Sequence, residues 1–81
     1  MHQDAARTPQ QLGALLRGHR REHGLTQAAV GERAGLRQPS ISSIEADPGP
    51  ASLSRIFAVL SALDLELVVR PRGMSGSKTD W

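Results

Sequence analysis

GLTQAAVGERAGLRQPSISSIE, residues 24–45, reads as two short helices joined by a glycine turn. Thr26 follows Leu25 and precedes a helix-compatible run, so its hydroxyl can accept a bond from a free amide of the first turn. Leu25, Ala29, Val30, Ala34 and Leu36 supply the buried side of the pair. Gly35 stands where the first of the two helices should end, because glycine takes the left-handed conformation that other residues resist. Gly31 falls inside that helix, where glycine costs about 1 kcal/mol against alanine; a close crossing of two helices would account for it. The next helix is expected to start near Pro39, whose fixed φ suits a first helical position. Ile41 and Ile44 point to the core. Ser40, Ser42 and Ser43 fall mostly on other faces, with Arg37 and Gln38 at the start. The second helix thus has a polar front edge and an apolar back, the arrangement with which small domains insert a helix into the major groove of DNA.

The flanks extend this pattern. Residues 1–7 form an N-terminal arm, and residues 8–64 form the domain proper. Thr8-Pro9-Gln10-Gln11 has the spacing of a capping box with proline at the first helical position. The helix it opens runs to about His23, with Leu12, Leu15, Leu16 and His19 on one stripe. Arg20 lies four residues after Leu16, itself four after Leu12, and so falls on that buried stripe. A guanidinium there needs a partner, and Glu45 at the end of the third helix could reach it; the alternative is two solvated surface charges. Ala46 to Ala51 is a loop of proline and glycine. Ser52 caps a fourth helix, whose core-facing residues are expected to be Leu53, Ile56, Phe57, Leu60 and Leu63.

Leu65, Glu66, Leu67, Val68, Val69 and Arg70 alternate and are β-branched enough for a strand, which otherwise would be a frayed extension of helix four. A lone strand leaves its backbone groups unpaired, and its copy in a second subunit is the simplest partner. Antiparallel pairing centred on Val68 sets Glu66 opposite Arg70 of the mate, and Leu67 opposite Val69. Opposite charges across a ladder are mildly favourable. Centring on Leu67 loses both charge pairs. The expected class is therefore all-α, with four or five helices and one short C-terminal strand that pairs across a homodimer. Residues 71–81 read as a flexible tail, with Gly73, Ser75, Gly76 and Ser77 giving it no means of packing. It ends in Trp81, the one tryptophan in the sequence, which is either an anchor for a pocket on a partner protein or an incidental exposed end.

Composition narrows the function. A chain of 81 residues makes one small domain with a limited core. Without cysteine there is no disulfide framework and no thiolate metal site. MHQDAARTPQQ carries no apolar run of the kind a secretory signal needs, and no stretch approaches the length of a membrane span, so a cytoplasmic protein is expected. The net charge is only +2. Its distribution is more informative. Arg7, Arg17, Arg20, Arg21, Arg33 and Arg37 outweigh Glu22 and Glu32 between residues 5 and 44, and the remainder is slightly acidic. A basic half suits a surface that faces phosphates.

Leu12, Leu16 and Arg20, then Leu25-Thr26-Gln27, Ala34-Gly35-Leu36, Gln38, Ile41-Ser42 and Ile44-Glu45, resemble the helix-turn-helix of the phage-repressor-like (XRE/Cro) family over about residues 8–63. EADPGPASLSRIFAVLSALDLELVV (residues 45–69) and the terminal Trp81 resemble, more narrowly, HipB antitoxins, the DNA-binding partners of HipA-type serine/threonine kinase toxins. The resemblance implies a lambda-repressor-like fold, the Arg20–Glu45 pair, and DNA-contacting positions most directly at Gln27, Gln38 and Ser43. It also implies a toxin-contact or degradation role for Trp81. Pro39 departs from the commoner polar residue at its position, and Ala46-Asp47 lacks the basic residue often found in the following loop. Affinity would then lean more on the arginines, with steep salt dependence.

Roles follow from side-chain chemistry. Gln38 suits bidentate bonding to adenine, and Arg37 a guanine edge or a phosphate. Ser40 and Ser42 can reach base edges or phosphates. Gln27, Thr26, Ser43, Arg17 and Arg21 are assigned to phosphates, Gln27 helped by the free amides of a helix start. A dimer would read an inverted repeat in double-stranded DNA.

Other chemistry is weak. His19 and His23 are four apart, but no third metal ligand is evident. The serines have no acid–base pair near them in sequence, and GMSGS opens no helix that could make it a phosphate loop. No enzyme, cofactor, metal, small-molecule substrate or membrane is expected. Three functions stay open: a repressor that is the antitoxin of a HipA-like kinase and autoregulates its operon, a stand-alone repressor, and an adaptor that does not bind DNA.

Overall fold

The computed structural model describes residues 5–72. Among these, four helices follow one another: α1 (Pro9–Glu22), α2 (Gln27–Ala34), α3 (Gln38–Ala46) and α4 (Leu53–Ala62). Three of the four starts are capped as the sequence implies. The hydroxyls of Thr8, Thr26 and Ser52 accept from the amides of Gln11 (3.1 Å), Ala29 (3.0 Å) and Arg55 (3.2 Å). The box at α1 is only half formed, because the Gln11 side chain takes the Arg7 amide instead of returning to Thr8. α3 begins at Arg37 with no side-chain cap, and Pro39 lies in its first turn. Its C-terminal end runs through Ala46, into what reads from sequence as loop.

The core is Leu16, Val30, Ile41, Ile44, Ile56, Val59, Leu60 and Leu63, with Leu12, Leu25, Leu36, Ala51, Ala62 and Leu65 packed around it. α3 lies against both α1 and α2, and α4 closes the core against α2. Two glycines make these approaches possible. A Cβ on Gly31 would stand 2.6 Å from the Leu36 carbonyl oxygen, so the crossing expected there is the tight turn folding back on its own helix. A Cβ on Gly13 would run into the Glu45 carbonyl oxygen and the ring of Pro48. That contact seats the end of α3 on the middle of α1, and nothing in the spacing announces it.

Two expectations for α4 are corrected. Leu53 and Phe57 are not core residues: they are 65% and 45% exposed, while Val59, absent from the expected stripe, is 1% exposed. The buried positions Ile56, Val59, Leu60 and Leu63 define an arc that leaves Leu53 and Phe57 on one flank. α4 ends with Asp64 at φ 60°, and the Leu65 amide bonds back to the Leu60 carbonyl at 2.8 Å. This reversal turns the chain out of the helix. Residues 65–70 are therefore no frayed continuation of α4. They take no regular structure within the single chain, as a strand requires a ladder partner, and Leu67, Val68 and Val69 are exposed. Trp81 and the rest of the tail beyond residue 72 lie outside the described residues, as do residues 1–4 of the arm.

Candidate nucleic-acid interface

Gly35 closes α2 at φ 75°, and the turn that follows sets α3 on the surface with its apolar side down. Ile41 and Ile44 anchor it in the core. The opposite edge carries Arg37, Gln38, Pro39, Ser42 and Ser43, all exposed, with Ser40 half-buried on the flank nearer α4. α3 thus presents a shallow row of short polar side chains, with its two long ones at the N-terminal end.

A hydrogen-bonded chain runs from the interior to that end. The Arg20 Nε donates to Glu45 Oε2 at 2.5 Å and its Nη2 to Glu45 Oε1 at 3.1 Å, while Nη1 donates to the Leu25 carbonyl at 2.9 Å. The pair expected from sequence is therefore bidentate, with side-chain exposures of 11% and 5%. The hydrogen bond that Arg20 donates to Glu45 raises the Arg20 pKa further above its already high ordinary value; burial opposes this and the Coulomb attraction of Glu45 adds to it. Gln27 Nε2 donates to Glu45 Oε1 at 3.1 Å, and Gln27 Oε1 accepts from Gln38 Nε2 at 2.6 Å.

This chain has a fixed direction. A carboxylate held by a guanidinium can only accept, so Gln27 must turn its amide nitrogen toward Glu45. Its oxygen then faces Gln38, which must answer with its own nitrogen. Gln38 keeps one N–H and its carbonyl oxygen free, the donor–acceptor pair that matches the N7 and N6 edge of adenine. Gln27, expected on a phosphate, has both ends of its amide engaged within the protein, with one N–H to spare. Glu45 and Arg20 together set the orientation of a surface glutamine two residues removed in the chain of contacts. Sequence spacing gives the Arg20–Glu45 pair but carries no sign of the glutamine bridge, which depends on the angle between α2 and α3.

The remaining expected contacts fall on two sides of α3. The Thr26 hydroxyl caps α2 and stays exposed beside Gln27. Arg17 and Arg21 are exposed on α1, on a face shared with Gln10, Ala14 and Gly18 that borders Ala46 and Glu45 at the end of α3. Asp47 Oδ1 accepts from the Gly49 amide at 3.0 Å and from Gln10 Nε2 at 3.4 Å, which fixes the loop after α3. His23 Nδ1 sits 2.8 Å from the His19 carbonyl. Among the described residues, no helix is long and apolar enough to cross a membrane.

A helix-turn-helix family model matches residues 16–69. The chain is 31% identical over 62 residues to antitoxin HipB of Escherichia coli O6:H1 (strain CFT073) and 29% identical over 62 residues to antitoxin HipB of E. coli K12, in each case across 76% of its length. It spans 66% and 70% of the lengths of those relatives. Among solved structures it is similar to a HipB–O4 20mer complex (TM-score 0.80, 26% identity, 84% of this chain and 96% of that one). A HipA–HipB–O2–O3 complex matches with the same score, identity and coverage, TM-score 0.80, 26%, 84% and 96%. The restriction–modification controller protein C.Esp1396I shares the fold, at TM-score 0.68 and 19% identity over 72% of this chain and 75% of that one.

Proposed function

The chain belongs to the helix-turn-helix family, and we propose that it is a dimeric, sequence-specific DNA-binding repressor that acts as the antitoxin of a HipA-type serine/threonine kinase and represses its own operon. The observation that carries the DNA reading is the exposed start of α3. Arg37 is free of capping duty, and Gln38 is held by an internal chain of hydrogen bonds in the orientation that suits adenine. The exposed arginines of α1, Arg17 and Arg21, beside the C-terminal end of α3, supply the sequence-independent attraction to phosphates. Thr26, Ser40, Ser42 and Ser43 are the accessory contacts of the same face.

Support for a dimer comes from surface that water should not keep. Leu53 and Phe57 on α4, and Leu67, Val68 and Val69 beyond it, are 45–90% exposed. Residues 65–70 also carry unpaired backbone groups, which a second copy would satisfy in an antiparallel ribbon centred on Val68. A two-fold axis would then give two recognition helices and an inverted-repeat operator. The kinase partnership draws its support from the likeness to HipB in complexes that contain HipA, and Trp81 is the residue proposed to contact that partner.

A mobility-shift assay on the DNA upstream of the gene tests the reading. Wild type should shift a discrete fragment, and Gln38→Ala should weaken that complex by about 1–3 kcal/mol per half-site with the fold intact. Absence of any shift at low salt would reject it. Copurification of a kinase encoded beside the gene, lost when Trp81 is deleted, tests the antitoxin role. Operator binding without such a partner would make the protein a stand-alone repressor.

A further inference from the structure

α3 has two flanks, and Ser40 and Ser43 are the only contacts assigned so far to one of them. Its α2 side carries Gln27 and the capped start of α2. Its α4 side is a shallow groove bordered by Pro39, Ser40, Ser43 and Asp47 of α3 and its end, and by Arg55 of α4. An α-helix with its side chains is about 10–12 Å across, and the major groove is about 12 Å wide. A helix seated there fills it, so both flanks lie against a phosphate backbone.

We propose that Arg55 is the DNA-phosphate contact of the second flank, with the Ser40 and Ser43 hydroxyls beside it. The inference rests on the DNA reading above. The loop from Ala46 to Ala51 contains no cation and one acid, so nothing in that loop can serve the backbone on this side. Arg55 can. It is exposed, lines the groove with both serines, and makes no ion pair among the described residues. The neighbouring Asp47 is not ion-paired with it, and its Oδ1 accepts from the Gly49 amide and the Gln10 side chain. Arg55 also stands about 160° around α4 from both Leu53 and Phe57. α4 therefore divides its exposed flanks: an apolar one for the mate and a cationic one beside the recognition helix. A guanidinium and two hydroxyls on the flank that lies against the backbone suit an anionic phosphate oxygen.

Fluorescence anisotropy with the full chain decides the matter, on the upstream fragment and on an unrelated duplex of equal length, from 50 to 200 mM salt. Arg55→Ala should bind both duplexes more weakly. The slope of log K against log salt should fall by about 1.8, at about 0.9 for each of two phosphate contacts in a dimer. Arg55→Lys should keep most of the slope, and melting temperatures should not change. An unaltered slope in Arg55→Ala would overturn the assignment, as would a loss confined to the upstream fragment. If Gln38→Ala loses sequence preference while Arg55→Ala keeps the full slope, this inference fails and the DNA reading stands. If wild type binds neither duplex, both fail together.

Discussion

Truncating Glu45 should do two things that are separable. Glu45→Ala leaves the Arg20 guanidinium largely buried, with only the Leu25 carbonyl as partner. Breaking a buried pair from one side costs about 3–5 kcal/mol. The retained carbonyl bond argues for the low end, about 3 kcal/mol, a large share of the roughly 5–15 kcal/mol that holds a domain together. At about 4–8 °C per kcal/mol for a domain of this size, the melting temperature should drop by about 12 °C or more. Replacing both partners, Arg20→Met with Glu45→Leu, removes the uncompensated charge and should be neutral or stabilising. That double variant still lacks the carboxylate that orients Gln27. Gln38 is then free to present either end of its amide, and discrimination at the adenine it is proposed to read should fall by about 1 kcal/mol or more even though the protein is fully folded. Melts followed by circular dichroism at one fixed protein concentration, paired with anisotropy on matched and mismatched operators, read both effects. A loss under about 1 kcal/mol in Glu45→Ala would mean the pair behaves as a surface salt bridge. A double variant with undiminished discrimination would mean the glutamine bridge plays no part in readout.

Other outcomes follow from single contacts. Gly18 lies in α1 with open space where a Cβ would go, so Gly18→Ala should stabilise by about 0.5–1 kcal/mol. Gly31→Ala must push against the Leu36 carbonyl and should destabilise by about 1–2 kcal/mol after the gain in helix propensity, as urea melts of the two variants would show. Asp64 sits at φ 60°, so Asp64→Gly should raise the melting temperature slightly, by up to about 1 kcal/mol of stability. Val68→Glu should shift sedimentation from dimer to monomer with helical content unchanged, because it sets like charges at the proposed two-fold axis; an unchanged dimer would move the interface elsewhere.

What could be read from the sequence was local, and what could not was angular. The caps at Thr8, Thr26 and Ser52 and the left-handed Gly35 each depend on a few adjacent residues, and all are found where those residues imply. The Arg20–Glu45 pair was legible because a charge on an apolar stripe demands a partner. The bridge from Glu45 through Gln27 to Gln38 was not, since it exists only once α2 and α3 cross at one particular angle. Gly13 was silent for the same reason: a glycine on the buried side of α1 says that something comes close, but not that it is the carbonyl end of α3. Arg55 had no signal at all, being an ordinary charge on a helix flank until the fold sets it beside α3.

The misreading of Leu53 and Phe57 has a different origin. Periodicity finds apolar residues on one side of a helix, and α4 has them over a wider arc than one small core can cover. A helix that serves a single interior needs a stripe of about 100°. Ile56, Val59, Leu60 and Leu63 already span that, and Leu53 and Phe57 extend it by a further helix flank. Full burial of such a side chain is worth about 1.5–3 kcal/mol, and with Leu53 65% and Phe57 45% exposed, a monomer leaves about half of that unused at each. The excess width is thus a sequence-level sign of a second apolar surface on the same helix. It agrees with the unpaired segment at residues 65–70, an independent reason for a second copy. Phe57→Ser should then weaken the dimer and cost the isolated domain only part of a buried phenylalanine's contribution, about 1–2 kcal/mol, whereas Val59→Ser should unfold the domain itself; equal effects of the two on the melting of a dilute, monomeric sample would show that Phe57 belongs to the interior after all.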